Sequence, residues 1–180
     1  MKATGIVRRI DELGRVVIPK EIRRTQRIRQ GDALEIFTAA NGEVVFKKYS
    51  PLIGLGQLSG VYAEVLSKEI GRPVVICDRD AVVAVTGPNK NEWMGREISD
   101  DLSKLLAMRS VYTAPAETAH RLRAFERGDR QVFCAAPIVA HGDIEGGVCL
   151  LGTDRETPPE PEATRAINLA ASFLARWMEE

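Results

Sequence analysis

Hydrophobic and polar positions divide the first fifty residues into four extended runs and one short helix. Residues 3–10 and 15–19 alternate weakly, which predicts two strands joined by a turn at residues 11–14. Pro19 stops the second run and suits the start of a helix, so residues 20–28 predict about two helical turns. Two further strands complete a β-β-α-β-β pattern.

An Asn-Gly pair at residues 41–42 separates the last two strands and is a strong signal for a β-hairpin. A two-residue turn at this pair places Phe37 opposite Phe46 and Glu35 opposite Lys48. Both are favourable cross-strand pairs, one aromatic and one of opposite charge. The sequence therefore predicts the register of this hairpin as well as its existence.

The chain beyond residue 50 alternates helices with pairs of strands. Residues 50–60 are rich in Gly and indicate a linker that runs into a helix over residues 55–70, with Gly71 as its C-cap. Residues 73–87 predict a strand, a tight turn and a second strand. Residues 89–110 then predict one or two helices.

Ser99 is a candidate N-cap within this helical stretch. Residues 111–130 are polar and irregular, and the pattern assigns no element to them. Residues 131–140 and 146–153 predict two strands joined by a short turn, which indicates antiparallel neighbours. The second part is therefore an α+β domain with helices at both ends of an antiparallel sheet. The apolar face of its last helix comprises Ala166, Ala170, Phe173 and Trp177, widened by Ile167 and Leu174.

The first fifty residues are too few to bury a sufficient core without disulfides, metal or a partner. Cys77, Cys134 and Cys149 form no CxxC pair and lie in apolar runs, so we expect buried free thiols, no metal site and no cofactor. We therefore predict an obligate dimer through residues 1–51. The apolar face that a second copy completes comprises Ile6, Val16, Ile18, Ile22, Leu34, Ile36 and Val44.

Composition adds a globular class and an asymmetry of charge. The chain is 44% apolar and 28% charged, which is typical of folded proteins. No run approaches the ~18 apolar residues of a membrane span, and no secretory signal is evident, so we expect a cytoplasmic protein without membrane contact. The net charge is zero, but residues 1–50 carry +5 and residues 51–180 carry −5. The positive part predicts a polyanionic partner.

Arginines surround the apolar runs of this positive part. The candidates for contact with DNA are Arg8, Arg9, Arg15, Arg23 and Arg24, with Arg27 nearby. A two-fold dimer presents these side chains twice, and guanidinium forks suit phosphate oxygens and guanine edges. The alternative is a solvated basic rim, partly paired with Asp11, Glu12 and Glu21.

The run KATGIVRRIDELGRVVIPKEIRRT, followed by GDALEIF and VVFKKY, resembles the AbrB family of transition-state regulators. The resemblance covers nearly all of residues 1–50 and implies a swapped-hairpin dimer that binds double-stranded DNA. Gly14 and Pro19 match the family's turn and proline. The family's DNA-contacting arginines are matched by Arg8, Arg15, Arg23 and Arg24, and Arg9 stands where a basic residue is usual.

Beyond residue 50 the resemblance narrows to a regulator of this kind with a C-terminal GAF domain. The stretches that carry it are YSP at 49–51, VVICDRD at 74–80, PIVAHGD at 137–143 and AASFLARWME at 170–179. It implies a transcription factor of late spore development that activates some genes and represses others. It also implies tetramers, in which the terminal helices of residues 52–180 pack as a bundle. The amphipathic helices predicted at both ends of this domain fit that role.

GAF domains commonly bind small molecules, so the resemblance leaves a small-molecule effector open for residues 52–180. A candidate pocket lies between the sheet and residues 87–130, where Arg96, Arg109 or Arg121 could meet an anion. The alternative is that these arginines are surface charges and that the pocket is filled.

Two other classes of protein compete with a regulator. One GAF-type family reduces free methionine sulfoxide with cysteine thiols, but a reactive thiol needs exposure and the cysteines here lie in apolar strands. His120 and His141 are lone loop histidines without a nucleophile or metal ligand beside them. The N-terminal fold also occurs in antitoxins, which carry a short acidic tail instead of a folded second domain. The sequence therefore predicts a DNA-binding regulator rather than an enzyme.

Overall fold

The computed structural model describes residues 4–87, 90–117, 121–128, 130–153, 155–157 and 159–180. The chain forms two compact units, Met1–Tyr49 and Ser50–Glu180. None of the helices within the described ranges is long and apolar enough to cross a membrane. His120 lies outside the described residues.

The N-terminal unit contains one helix and one hairpin: α1 (Lys20–Thr25), β1 (Leu34–Thr38) and β2 (Val44–Lys48). The strands predicted at residues 3–10 and 15–19 do not form in the described part of this single copy, so that prediction is wrong here. A strand needs a neighbour for its ladder of hydrogen bonds, and β1 and β2 pair only with each other.

The turn between these two extended segments does form. The N–H of Gly14 donates to the carbonyl of Asp11 at 2.9 Å, and the N–H of Asp11 donates to the carbonyl of Arg15 at 3.0 Å. Gly14 adopts a φ of 75°, a left-handed conformation that glycine reaches without steric cost. The predicted turn at residues 11–14 is therefore confirmed.

Helix α1 begins directly after Pro19 and ends at Thr25, earlier than the sequence predicted. The N–H of Ile28 donates to the carbonyl of Arg23 at 2.7 Å and closes the end of the helix. Arg27 adopts a left-handed φ of 51°, so the chain leaves the helix through a Schellman motif. This motif stops the helix although the apolar pattern continues.

Strands β1 and β2 form the predicted antiparallel hairpin in a different register. A two-residue type I′ turn needs positive φ at both of its residues, but of the Asn-Gly pair only Gly42 has one, at 83°. The N–H of Gly42 donates to the carbonyl of Ala39 at 3.0 Å, which makes a three-residue loop. The pairs are consequently Ile36–Phe46 and Glu35–Lys47, not Phe37–Phe46 and Glu35–Lys48 as predicted.

The C-terminal unit is a five-stranded antiparallel sheet in the order β4-β3-β7-β6-β5, covered by helices on both faces. The antiparallel α+β fold predicted for this part is confirmed. Its elements are α2 (Pro51–Gly54), α3 (Gly56–Ile70), β3 (Val74–Asp78), β4 (Val82–Val85), α4 (Lys90–Trp93), α5 (Asp100–Ala107), β5 (Tyr112–Thr113), β6 (Gln131–Ala140), β7 (Asp143–Gly152) and α6 (Pro161–Met178).

The segment predicted as a linker at residues 50–60 is instead helical, because Pro51 starts α2 and Leu52 is fully buried in the core. Two predicted helix caps are confirmed. Gly71 ends α3 with a φ of 74°. The hydroxyl of Ser99 accepts a hydrogen bond from the N–H of Leu102 at 3.0 Å and begins α5.

Two apolar layers enclose the sheet. One lies between the sheet and helices α3 and α6, and includes Leu66, Ile76, Phe133, Ile167 and Leu174. The other lies beneath α4, α5 and residues 122–125, and includes Trp93, Leu102, Leu106, Phe125 and Val132.

Helix α6 buries a face that is rotated from the predicted one. Ala170 is buried as predicted, whereas Phe173 and Trp177 remain 38% and 49% exposed. Two bulky aromatic side chains on one amphipathic helix are thus left at the surface of the single chain. The residues that α6 buries are Ala163, Ile167, Ala170, Ala171 and Leu174.

Arg121 lies in the stretch that the sequence did not assign, and it links Pro115 and Ala116 to Glu156. This side chain is 9% exposed, and its guanidinium donates to the carbonyls of Pro115, Ala116 and Glu156 at 3.2, 3.0 and 2.9 Å. The guanidinium carbon also lies 5.0 Å from the ring centroid of Phe133. A buried arginine that is satisfied by carbonyls therefore organises a segment without a hydrophobic period.

Candidate nucleic-acid interface

Apolar side chains of the N-terminal unit lie on its surface. Among residues 4–49 only Pro19 is buried, while Val7 and Leu13 are 83% and 75% exposed. A small unit with so little buried apolar surface cannot offset the entropy of ordering its own chain. The hydrophobic core of this unit is therefore incomplete in a single copy.

The hairpin carries one continuous apolar face. Ile36 and Phe46 lie directly opposite each other, and Val44 follows two positions from Phe46, so these three side chains share one side of the two strands. Ile36 is 61% exposed. On the opposite side, the ammonium of Lys47 lies 4.7 Å above the ring of Phe37, a cation–π contact.

All five predicted DNA-contacting arginines are exposed in this unit. They occupy the segment before the turn at residues 11–14, the first position after that turn, and helix α1. Arg27 is partly buried at the end of the helix. In order along the chain, the five are Arg8, Arg9, Arg15, Arg23 and Arg24.

Asp11 organises the turn that carries Arg15. One carboxylate oxygen of Asp11 accepts the N–H groups of Leu13 at 3.0 Å and Arg15 at 2.8 Å. The other oxygen accepts Nε of the Arg15 guanidinium at 2.7 Å. The N–H and then the guanidinium of Arg15 hold the pKa of Asp11 below its usual value, so the carboxylate is ionised at neutral pH. The sequence predicts a turn at Asp11 and basic partners for its side chain, but it does not predict this combination of three bonds.

Two other arginines make local bonds to the backbone. Nε of Arg23 donates to the carbonyl of Ile18 at 3.2 Å, which links α1 to the segment that leaves the turn. Nη1 of Arg8 donates to the carbonyl of Val7 at 3.4 Å, near the limit for a hydrogen bond. In both Arg15 and Arg23, the side chain bonds through Nε and not through the two terminal nitrogens of the guanidinium.

In the C-terminal unit, the space predicted as a pocket is filled by side chains. Trp93 and Phe125 are buried there with their ring centroids 6.0 Å apart. The guanidinium of Arg96 lies 4.5 Å above Phe125, and that of Arg130 lies 5.1 Å above Trp93. Nη2 of Arg109 donates to the carbonyl of Gly142 at 2.7 Å. Arg96, Arg109 and Arg121 therefore all contribute to the fold.

A surface concavity of about 510 Å³ lies beside the start of α5. Its lining mixes the acids Asp100, Asp101 and Glu126 with Lys104 and Arg123. Several of these groups already bond one another, since Glu126 accepts the N–H of Asp100 at 2.8 Å and Asp101 pairs with Lys104 at 3.4 Å.

The three cysteines are fully buried, as the sequence predicted. Burial raises the pKa of Cys134 to about 11. A hydrogen bond with Cys77 and burial both raise the pKa of Cys149. Since the thiolate is the reactive form, all three thiols lack the exposure of a nucleophilic site, and Cys134 and Cys149 also lack its low pKa.

Comparison with known proteins assigns both units. The family model described as "Stage V sporulation protein T C-terminal, transcription factor" matches residues 54–179, and the model "Antidote-toxin recognition MazE, bacterial antitoxin" matches residues 7–53. Stage V sporulation protein T of Bacillus subtilis is 48% identical over 181 residues, which cover 100% of both chains. The fold and these matches define a sporulation transcription factor with an AbrB-like N-terminal unit. The chain belongs to the stage V sporulation protein T family.

Other relatives match one unit each. The transition state regulatory protein AbrB of Bacillus subtilis is 59% identical over 51 residues, which are 28% of this chain and 52% of AbrB. The GAF domain/HD domain protein of Geobacter sulfurreducens is 17% identical with a TM-score of 0.52, over 69% of this chain and 91% of that one. The free methionine-R-sulfoxide reductase of Thermoplasma acidophilum is 12% identical with a TM-score of 0.52, over 71% and 94%. Such distant structures share the GAF-like fold alone, which confirms the predicted fold class. The full-length match to stage V sporulation protein T and the family model over residues 54–179 favour the regulator over the reductase and the antitoxin.

Proposed function

We propose that this protein binds double-stranded DNA through a two-fold dimer of residues 1–51 and thereby activates or represses late sporulation genes. The observation that carries the proposal is the coincidence of an exposed apolar face with five exposed arginines in one small unit. A second copy covers the apolar face and doubles the arginines. The proposed contacts to DNA are made by Arg8, Arg9, Arg15, Arg23 and Arg24.

Electrostatics gives this proposal a quantitative form. Each neutralised phosphate adds about −0.9 to the slope of log affinity against log salt concentration. If all five arginines of both copies reach phosphates, the slope approaches about −9. Replacing one arginine removes two contacts from the dimer, so the slope should weaken by about 1.8.

Fluorescence anisotropy with a labelled duplex over a range of salt concentrations tests the proposal. Arg23→Ala and Arg24→Ala should each lower the affinity and weaken the slope. Arg24→Ala should leave the melting temperature unchanged, whereas Arg23→Ala also removes the bond to Ile18 and should lower it slightly. Lys47→Ala removes the same charge from the hairpin, where Lys47 contacts Phe37, and serves as the matched control. Equal slopes for the wild type and both arginine variants would contradict the assignment of these residues to DNA contact.

The proposed second assembly uses the outer faces of α3 and α6. Tyr62 of α3 contacts Phe173 of α6 with ring centroids 5.1 Å apart, and Phe173 contacts Trp177 at 5.9 Å. Val65 and Leu169 beside them are 56% and 66% exposed. Packing these faces from two dimers as a helix bundle gives a tetramer through residues 52–180. Such a tetramer holds two DNA-binding dimers together, and the second then binds the same duplex at a high effective concentration.

Deletion of residues 52–180 tests this arrangement, because it should leave a DNA-binding dimer and abolish the tetramer. A truncated chain that sediments as a monomer would contradict the proposed dimer.

Native mass spectrometry of the full chain from its own cells tests for a small-molecule effector. Because aromatic side chains fill the space beneath α4 and α5, we propose that such an effector would occupy the surface concavity beside α5.

We also propose that the chain is a regulator without enzymatic activity and that it acts in the cytoplasm. The burial of all three thiols supports the first point, and the raised pKa values of Cys134 and Cys149 disfavour the thiolate that a sulfoxide reductase needs. An assay with free methionine sulfoxide and a thiol reductant tests it directly. Turnover that disappears in a Cys77→Ser, Cys134→Ser or Cys149→Ser variant would overturn this part of the proposal.

A further inference from the structure

We propose that Asp11 is a positioning residue that presets the guanidinium of Arg15 and so favours the specific DNA site over other DNA. The inference rests on the proposed DNA binding by residues 1–51 and deepens it. It concerns an acidic residue, whose negative charge would by itself weaken binding to the phosphates of DNA.

The geometry ties the Arg15 side chain to its own turn. Asp11 accepts both the N–H and the Nε of Arg15, at 2.8 and 2.7 Å. The backbone bond fixes where the residue starts, and the Nε bond fixes the far end of the side chain. A side chain that is held at its backbone and at Nε has fewer rotamers to lose when its guanidinium meets a ligand.

The same geometry leaves the binding part of the guanidinium exposed. Arg15 uses Nε for Asp11, and its side chain remains 71% exposed. The two terminal nitrogens are the ones that form a fork with O6 and N7 of guanine or with two phosphate oxygens. The bond to Asp11 can therefore persist while Arg15 contacts DNA.

Stability does not account for this ion pair. Asp11 is 43% exposed, and exposed pairs of this kind contribute little to folding. Its negative charge would also repel the phosphates that the neighbouring arginines attract. The two backbone bonds of the turn need only a side-chain oxygen, which Asn would also supply, so the negative charge itself is best explained by the bond to Nε of Arg15.

Two substitutions separate positioning from charge. Asp11→Asn keeps an oxygen that can accept the two backbone N–H groups, but its amide cannot reproduce the charge-assisted bond to Nε of Arg15. Glu12→Gln removes the same charge from the next residue of the same turn. Both variants are made in the full chain, alone and combined with Arg15→Ala, and their melting temperatures are checked by circular dichroism.

Affinities are measured on two DNA probes. One is a duplex enriched from a random pool by selection with the wild-type chain. The other has the same length and composition in shuffled order. Positioning of one arginine in each of two copies predicts that Asp11→Asn weakens binding to the selected duplex by about 5- to 100-fold. The same variant should bind the shuffled duplex as well as Glu12→Gln does, and in the Arg15→Ala background Asp11→Asn should no longer weaken binding.

The other outcomes distinguish the two proposals. If Asp11→Asn strengthens binding to both probes as Glu12→Gln does, the positioning role is wrong and DNA binding stands. If it weakens both probes, and does so in the Arg15→Ala background as well, Asp11 only maintains the turn and the inference is again overturned. If the selection enriches no sequence, the wild-type chain has no sequence specificity, and the positioning role of Asp11 is also overturned. A wild-type chain that binds neither probe at low salt would instead overturn the proposed function itself.

Discussion

Replacing Ile36 by Ala should weaken the association of the N-terminal units. Ile36 is 61% exposed in one copy and faces outward from the hairpin beside Phe46. Complete burial of an isoleucine side chain is worth about 1.5–3 kcal/mol, so covering the exposed part is worth roughly 1–2 kcal/mol. The alanine methyl retains a fraction of this, and two-fold symmetry counts the loss twice. We expect a total cost of about 2–3 kcal/mol, or roughly a 30- to 150-fold increase in the dimer dissociation constant.

Sedimentation equilibrium of the full chain over a wide concentration range measures this change. The contact between N-terminal units should dissociate in the Ile36→Ala variant at concentrations where the wild-type assembly remains intact. Ile53→Ala is a matched control, because Ile53 is 63% exposed but lies in α2 of the other unit. If Ile36→Ala and Ile53→Ala both sediment like the wild type, the apolar face of the hairpin is not the dimer interface.

Three further predictions concern the C-terminal unit. At about pH 8 the native thiols should react with Ellman's reagent only as fast as the protein unfolds, because burial raises the pKa of Cys134 to about 11 and disfavours its thiolate. An immediate stoichiometric reaction would contradict this prediction. Gly147→Ala should destabilise the chain by about 1–3 kcal/mol in urea titrations, because the new Cβ would lie 2.4 Å from a methyl carbon of Leu106. As a control, the Cβ of Gly54→Ala would meet nothing within 4 Å, and this change should stabilise α2 by about 0.5–1 kcal/mol. Phe173→Ala should convert tetramers to dimers in native mass spectrometry, and each dimer should still bind DNA but with a lower apparent affinity for a duplex that holds two sites. Unchanged tetramers would exclude this face of α6 from the interface.

The hairpin shows where sequence patterns are informative and where they stop. The Asn-Gly pair predicted the turn correctly, because the turn requires a positive φ that glycine adopts without steric cost. The pair did not decide between a two-residue and a three-residue loop, since that depends on whether Asn41 also adopts a positive φ. A shift of one residue moved Phe46 from Phe37 to Ile36 and thereby changed which side chains share the apolar face.

The missing N-terminal strands have a different physical cause. Residues 3–10 and 15–19 carry the alternation of strands, but a single copy offers them no ladder to join. The pattern therefore describes the assembly rather than the isolated chain. The exposed apolar side chains at Val7 and Leu13 point to the same conclusion.

The sequence nominated residues for the DNA-binding site, and their contact with DNA remains a prediction; it did not indicate the local geometry of these residues. Charge clustering and the AbrB-like motif identified all five arginines, and the structure leaves each of them exposed. The role of Asp11 depends on a side chain that bonds Arg15 through two different atoms, and spacing alone does not specify such a contact. Similarly, Arg121 lies in a segment without periodicity, and its burial depends partly on the carbonyl of Glu156, which is 35 residues away in sequence.

Hydrogen–deuterium exchange of the full chain with and without a duplex locates the DNA-binding surface most directly. We expect DNA to slow exchange in peptides that cover residues 5–25, most strongly at the Asp11–Arg15 turn and α1, with little change in the sheet of the other unit. Protection confined to residues 50–180, with residues 5–25 exchanging as in the free protein, would contradict the assignment of DNA binding to the N-terminal arginines.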